Sequence, residues 1–368
     1  MNRLLLAILS AFFSSVSVAS SASCLRIGLL GEFEHKTGSF SQPFGREIVT
    51  GTALGRTWLE KNIPGACVKF ELIDIDNSIA NIDGYIRKWA NQGIHDFIGL
   101  GTSDQAIAAK KALFDTKSVL ITPTASARPL LEKPSRTILL FPTNDLIADG
   151  LAHEVRTRGV KKILSVYASN SKYSVDMNSS FKIAFEKRGG MVEEIAIRAG
   201  RSDLSEVIRK IKGSDLHYVF VPLYELDAAR VVTEISRNGL NPFFVGTDAW
   251  GTYSSVIKRL VKNRKQKAMI PVIYDPMARV PLNRKFVSEY NNVSDKMPTD
   301  LAAFSFDAVL VAYKINKICG ILIDDDKLRH CLHKILPLNT TTGVVGATKG
   351  LSLQRSIRIQ DIDLEKVK

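Results

Sequence analysis

The chain has 368 residues, 45% hydrophobic and 24% charged, and its 50 Lys and Arg against 37 Asp and Glu give a formal charge of +13. This composition excludes an intrinsically disordered chain, and four cysteines are too few for a fold carried by disulfides. The length predicts about two domains, each large enough to bury its own core.

The chain opens with a short basic start, Met1-Asn2-Arg3, then an apolar run, Leu4 to Phe13, then a Ser/Ala-rich stretch, Ser14 to Ser23. That order is the signature of a secretory signal peptide over residues 1–23, with cleavage after Ala19 or Ala22. The apolar run is too short to span a bilayer, and no later stretch approaches the ~20 apolar residues a membrane helix needs. The expectation is a soluble, exported protein. Removing the leader subtracts only Arg3, leaving a charge of +12.

Cys24 has two readings. A lipid anchor is disfavoured because Ser21-Ala22-Ser23 lacks a large aliphatic residue three places upstream. The other is a disulfide, which an exported compartment permits. Cys24 and Cys67 each open an apolar run, so they lie at one edge if those runs are neighbouring parallel strands. Cys319 and Cys331, twelve apart across a predicted helix-turn-helix, make the natural second pair. Four cysteines leave three connectivities open.

Beyond the leader, short β-rich runs alternate with amphipathic stretches of helical length. Strands are predicted at 25–30, 68–74, 96–100, 118–122, 137–141, 162–167, 191–197, 217–222, 243–246 and 268–273. Helices are predicted over Gly45–Asn62, Ile82–Gln92, Ser103–Phe114, Asp145–Arg158, Met177–Arg188, Leu204–Lys212, Leu226–Asn238 and Thr252–Asn263. The tail adds helices over Asp300–Gly320 and Asp326–Ile335, with extended chain from Gly343. Such alternation means βαβ units and parallel sheets covered on both faces. The series falls into two comparable halves, and the only candidate boundary is the tight segment Phe141-Pro142-Thr143-Asn144.

Ligands of open α/β sheets bind outside the carboxyl ends of the strands. In the first half those ends read Gly99-Leu100-Gly101-Thr102-Ser103-Asp104 and Thr122-Pro123-Thr124-Ala125-Ser126: small hydroxyl residues, open backbone and a helix N-terminus able to attract an anion. In the second half they read Val221-Pro222-Leu223-Tyr224-Glu225 and Val245-Gly246-Thr247-Asp248-Ala249-Trp250, which offer a phenol and a carboxylate. Facing each other, the two sets suit a zwitterion. Each residue also has an ordinary structural role: Ser103 as a helix cap, Asp248 as the end of a turn.

Ile98-Gly99 with Thr102-Ser103, Ile121-Thr122-Pro123 with Ala125-Ser126, Tyr218–Gly239, and Phe244-Val245-Gly246-Thr247-Asp248, in that order and spacing, resemble type I periplasmic binding proteins. The branch resembled is the one that binds leucine, isoleucine, valine and related amino acids or amides. The resemblance covers nearly the whole chain after the leader. It implies an α/β fold of two Rossmann-like lobes with parallel sheets, joined by a three-strand hinge and closing on the ligand. The corresponding division is 24–143 plus 273–337 for the first lobe and 144–272 plus 338–368 for the second.

By the same resemblance Ser103 holds a ligand α-carboxylate, with Thr124, Ala125 and Ser126 adjoining. Tyr224 and Asp248 receive the α-ammonium, while Phe44 and Tyr173 form aromatic walls. It further implies a non-enzymatic monomer in the periplasm that delivers a small ligand to the membrane permease of an ABC transporter; the alternative is a sensor subunit with the same fold. Three features depart from the family pattern. Asp248 stands where branched-chain binders carry Glu, the loop from Gly31 to Phe44 is longer and more polar, and Thr124 and Pro222 replace positions that are often Gly.

No catalytic, metal or nucleotide motif emerges. His153-Glu154-Val155-Arg156-Thr157 lacks the second His of a zinc-protease helix, and His330, Cys331 and His333 are a poor ligand set beside a paired Cys. Gly99-Leu100-Gly101 has Asp104 where a dinucleotide fingerprint needs its third Gly. No cofactor or nucleic acid is expected. The basic clusters at Lys161-Lys162, Lys258-Arg259 and Lys262 through Lys267 carry no interleaved aromatics, so a solvated face is the default, with docking to an acidic partner or membrane headgroups as the alternative.

Overall fold

The computed structural model describes residues 24–33, 44–76, 78–200, 203–251, 266–320, 324–347 and 350–362, with Val256 and Leu260. The leader 1–23, most of the polar loop 31–44, most of the predicted helix 252–263 and the basic run 262–265 lie outside these residues.

The first half forms a five-stranded parallel sheet of β1 (Leu25–Gly31), β2 (Val68–Asp74), β3 (Asp96–Gly99), β4 (Val119–Thr122) and β5 (Thr137–Leu139) in the order β2-β1-β3-β4-β5. Helices α1 (Phe44–Asn62), α2 (Ile82–Ala90) and α3 (Ser103–Asp115) connect its early strands. The second half forms a six-stranded sheet. Its parallel strands are β6 (Lys162–Ala168), β7 (Met191–Ile197), β8 (Tyr218–Phe220), β9 (Phe243–Val245) and β10 (Lys267–Val272). Helices α4 (Asn144–Thr157), α5 (Lys172–Lys187), α6 (Ser205–Lys212) and α7 (Glu225–Arg237) serve this sheet. All ten predicted strands are present. Inner strands such as β3 and β4 are almost wholly apolar because helices cover both faces of each sheet, while the edge strands β2 and β7 keep charged residues.

The tail departs from its prediction in two ways. Helix α8 (Pro281–Asn291) was not anticipated, although Pro281 in its first turn, with Phe286 and Tyr290 buried four residues apart, is the signal that finds it. After α9 (Asp300–Cys319) and α10 (Asp325–Lys334), the extended chain forms a three-stranded antiparallel sheet, β11 (Leu338–Thr340), β12 (Gly343–Ala347) and β13 (Leu353–Gln354). A last strand, β14 (Arg358–Asp361), pairs antiparallel with β10. Among the described residues of the tail segment 338–368, β14 is the one strand that joins the second sheet, while Ser352 bridges to Leu139 of β5 in the first.

Close backbone approach packs α9 on α1. A Cβ on Gly51 would meet the Ala302 carbonyl at 2.1 Å, and one on Gly55 the Phe306 carbonyl at 2.7 Å, so two glycines four residues apart clear one helical face for α9. The chain leaving β5 is buried against α9: Phe141 packs edge-on against Phe304 with centroids 5.6 Å apart, and Arg355 lies 4.2 Å over the Phe304 ring. The disulfides are Cys24–Cys67 and Cys319–Cys331. The first joins the chain just ahead of β1 and β2, whose register starts with Leu25 opposite Val68.

Candidate functional site

Each sheet reverses its winding once. In the first the switch lies between β1 and β3, in the second between β6 and β8, so the loops after these strands diverge and leave a crevice. These loops carry Ser103 and Asp104 after β3, Ser171 to Tyr173 after β6, and Tyr224 after β8, with Asp248 following β9.

The loop after β3 is held in an unusual backbone. Leu100 has φ 52°, and a Cβ on Gly99 (φ 133°) would lie 1.9 Å from the Leu30 carbonyl. A buried, left-handed leucine is costly and persists only where its surroundings impose it. Here the Leu100 N–H donates to Leu30 and its carbonyl accepts from the Thr122 hydroxyl at 2.8 Å. The turn aims the N-terminus of α3 at the other lobe. The cap of α3 is Thr102, whose hydroxyl accepts from Gln105 N. Ser103 is therefore not the cap. It is 1% exposed, and its Oγ accepts the N–H groups of Ser126 and Ala127, both at 3.1 Å.

The second and third hydroxyls of the first lobe behave differently. Thr124 donates to the Gly101 carbonyl at 2.8 Å. Ser126 is buried, and its hydroxyl finds no hydrogen-bond partner among the described residues; Ala125 is buried beside it. Phe44 opens α1, and its side chain lies outside the described positions.

From the second lobe, Tyr173 and Tyr224 stack with centroids 4.8 Å apart and planes 21° apart. The Tyr173 hydroxyl lies 2.9 Å from both Asp248 Oδ1 and Thr247 Oγ1. Burial, and then the Asp248 charge, hold this phenol well above its usual pKa, so it is a neutral donor. Tyr224 reaches across the cleft and donates to Asp104 Oδ2 at 3.1 Å. Its pKa is likewise raised, first by burial and then by the Asp104 charge, while the N–H groups of Asp104 and Ser103 pull it down.

Asp248 opens a short 3-10 turn and stays partly exposed. Desolvation pushes its pKa up to about 7 against the Tyr173 hydrogen bond, and the Asp300 charge adds to the rise. Asp300, at the start of α9, is raised to about 6 by burial, with the Glu47 charge adding. Among the described residues, no Lys, Arg or His pairs with Asp248, Asp300 or Glu47; the donors on Glu47 are the Tyr290 and Thr299 hydroxyls. The cleft is thus an acidic lining served by neutral donors.

Sequence reasoning missed two groups that tie the lobes together. Asp104 accepts from Ser171 Oγ at 2.8 Å, Lys172 N at 2.6 Å and Tyr173 N at 3.4 Å, besides Tyr224. Asp176 of α5 accepts from Arg128 N at 3.0 Å, Arg128 Nε at 2.9 Å and Asn144 Nδ2 at 2.8 Å. A short acidic residue in the first turn of a helix reads as ordinary dipole complementation, so nothing in the sequence marked Asp104 as reaching another lobe. A groove of about 1040 Å³ between α6 and α7, lined by Arg209, Lys212, Arg230 and Arg237 among others, lies apart from all these residues. Among the described residues, no group of three His, Cys, Asp or Glu is placed to hold a metal ion.

The fold has many solved counterparts at low identity. A leucine-binding protein from Thermotoga maritima is 17% identical, with 91% of this chain and 94% of that one covered at a TM-score of 0.79. A branched-chain amino acid transporter substrate-binding protein from Streptococcus pneumoniae, in complex with isoleucine, is 18% identical over 92% and 95%, TM-score 0.77. A solute-binding protein of an ABC transporter from R. palustris, in complex with 4-hydroxybenzoate, is 18% identical over 94% and 95%, TM-score 0.77. No curated protein sequence matches. The two-lobed arrangement is that of type I periplasmic binding proteins, which bind solutes without catalysis. A family model for periplasmic binding proteins matches residues 25–350, and the chain belongs to that family.

Proposed function

We propose that the protein is the periplasmic capture component of an ABC-type importer, closing its two lobes on a small amine-bearing solute of the amino acid or amide class and delivering it to a membrane permease. It acts as a monomer, since each chain carries both walls of its cleft. The observation that carries the reading is Asp248: a carboxylate at the mouth of a switch-point crevice, oriented by Tyr173 and without a basic partner among the described residues. A primary ammonium supplies the missing charge, and lobe closure strengthens the contact by excluding water.

Tyr173 and Tyr224 provide a flat stacked wall for the rest of the solute, and Ser103, Thr124, Ala125 and Ser126 line the first lobe. A leucine-binding protein and a complex with isoleucine among the structural relatives are consistent with an amine; 4-hydroxybenzoate in a third has none, so the fold alone does not choose. Mass spectrometry of solute released by denaturing the purified protein, followed by calorimetry with that solute, tests the reading. Absence of any amine among released solutes, with no thermal shift from amines or amino acids, overturns it.

A further inference from the structure

The cleft contains a carboxylate seat that the protein fills itself. At the N-terminus of α5, the Ser171 hydroxyl, the Lys172 and Tyr173 N–H groups and the Tyr224 phenol converge on one carboxylate, that of Asp104 from the opposite lobe. Oδ1 takes the Lys172 N–H and Oδ2 takes the other three, so both oxygens are served. A helix N-terminus, a hydroxyl and a phenol are what a ligand carboxylate would be offered.

The backbone donors nearby are also engaged from within, and the Ser126 hydroxyl, without a partner among the described residues, is buried. The N–H groups of Ser126 and Ala127 go to Ser103 Oγ, Gln105 N goes to Thr102, and those of Ser103 and Asp104 face the Tyr224 oxygen. A solute carboxylate entering here would have to displace Asp104 or Tyr224. It would then lie beside the Asp104 charge, in a cleft already lined by Asp248 and Asp300.

We propose that Asp104 is the specificity-determining residue of the cleft: as a tethered carboxylate it occupies the anion seat at α5, so the site takes a solute that presents an amine or amide and no free carboxylate. This rests on the reading of the cleft as the solute site and narrows it. The small acids named for the structural relatives are the class it excludes.

Calorimetry on the full chain with leucinamide, leucine and 4-methylpentanoate tests this, using wild type, Asp104→Asn and Asp104→Ser, with thermal melts confirming that each variant is folded. The three probes share one side chain and differ only in the charged ends. Wild type is expected to bind leucinamide at least about tenfold more tightly than leucine and to give no heat with 4-methylpentanoate, as one added like charge requires. In both variants leucine should gain at least about tenfold on leucinamide, because the like charge is gone.

Wild type that binds leucine as tightly as leucinamide overturns the inference. So does a preference unchanged in both variants. If leucine then binds through Asp248, shown by its loss in Asp248→Asn, the solute-capture reading stands while this one falls. No binding of any probe by any of the proteins counts against both.

Discussion

Arg355 and Asp307 form an ion pair at 3.0 Å in which neither side chain is exposed. Asp307 belongs to α9, and Arg355 lies in the connection between β13 and β14, the latter paired with β10 of the second sheet. The pair is satisfied on all sides: Asp307 also accepts from Thr341 N and Thr341 Oγ1, and Arg355 donates to the Leu140 carbonyl and to Thr340 and Thr342. Burial raises the Asp307 pKa and lowers that of Arg355, and in each case the partner's charge opposes the shift. The pair fastens the tail to α9.

Removing one partner should therefore cost far more than an ordinary substitution. Asp307→Ala leaves a buried guanidinium uncompensated and is expected to destabilise the protein by about 3–5 kcal/mol. Denaturant unfolding measures it, and a loss under 1 kcal/mol would show that water or a shifted side chain replaces the carboxylate.

The two disulfides should differ in weight. Cys24–Cys67 spans a sequence separation of 43 and Cys319–Cys331 one of 12. Loop-closure entropy in the unfolded chain assigns about 4 kcal/mol to the first and about 3 kcal/mol to the second. Unfolding of Cys→Ala pairs should rank them in that order, and equal losses would mean native strain or residual unfolded structure outweighs loop length.

Asp248→Asn is expected to weaken binding of an amine-bearing solute by about 2–5 kcal/mol, since it leaves the ammonium without its counter-charge. Calorimetry reads this directly, and unchanged affinity removes Asp248 from the ammonium site.

Stability and affinity should move oppositely with pH. Asp248 and Asp300 have folded-state pKa values of about 7 and about 6, both above the ordinary 3.8. The folded protein thus binds more protons than the unfolded chain over that interval, so ligand-free stability falls as pH rises toward 7. At the acid end Glu193, paired with Lys162 and Lys210, is lowered, and its contribution disappears as pH falls below the ordinary carboxylate range. The ligand-free melting temperature should peak at roughly pH 5. Amine binding needs Asp248 ionised, so affinity should instead rise through pH 7. A pH-independent affinity from 5 to 8 would count against Asp248 as the acceptor.

The second interlobe contact predicts an effect on closure. Arg128→Ala removes the guanidinium of the Asp176 ion pair and leaves Asp176 with Asn144 and the backbone N–H of residue 128. Small-angle scattering of the ligand-free variant should show a larger radius of gyration than wild type. An identical profile would place the closing force elsewhere, in Asp104 and Tyr224.

The alternation of apolar runs with amphipathic stretches determined the two parallel sheets, because strands buried on both faces can tolerate almost no polar residue. The Cys24–Cys67 pairing was suggested by two runs read as neighbouring strands and Cys319–Cys331 by a helix-turn-helix, though the sequence left three connectivities open. Candidate site residues could be named from strand ends, since a parallel sheet sends every such loop to one edge. What the sequence did not carry was partnership across the cleft. Thr102 and Ser103 are both plausible caps, and only the folded loop shows Thr102 capping while Ser103 turns to the amides of Ser126 and Ala127. Asp104 looks like a residue serving its own helix, and only the apposition of the lobes brings it to α5, 68 residues away in sequence. The opening charge of +13 is a property of the whole chain, whereas the acidic lining of the cleft depends on which carboxylates the fold turns inward. Local pattern is set by neighbours in the chain and so can be read from it; a charge's environment is set by distant residues, which tertiary structure alone brings within reach.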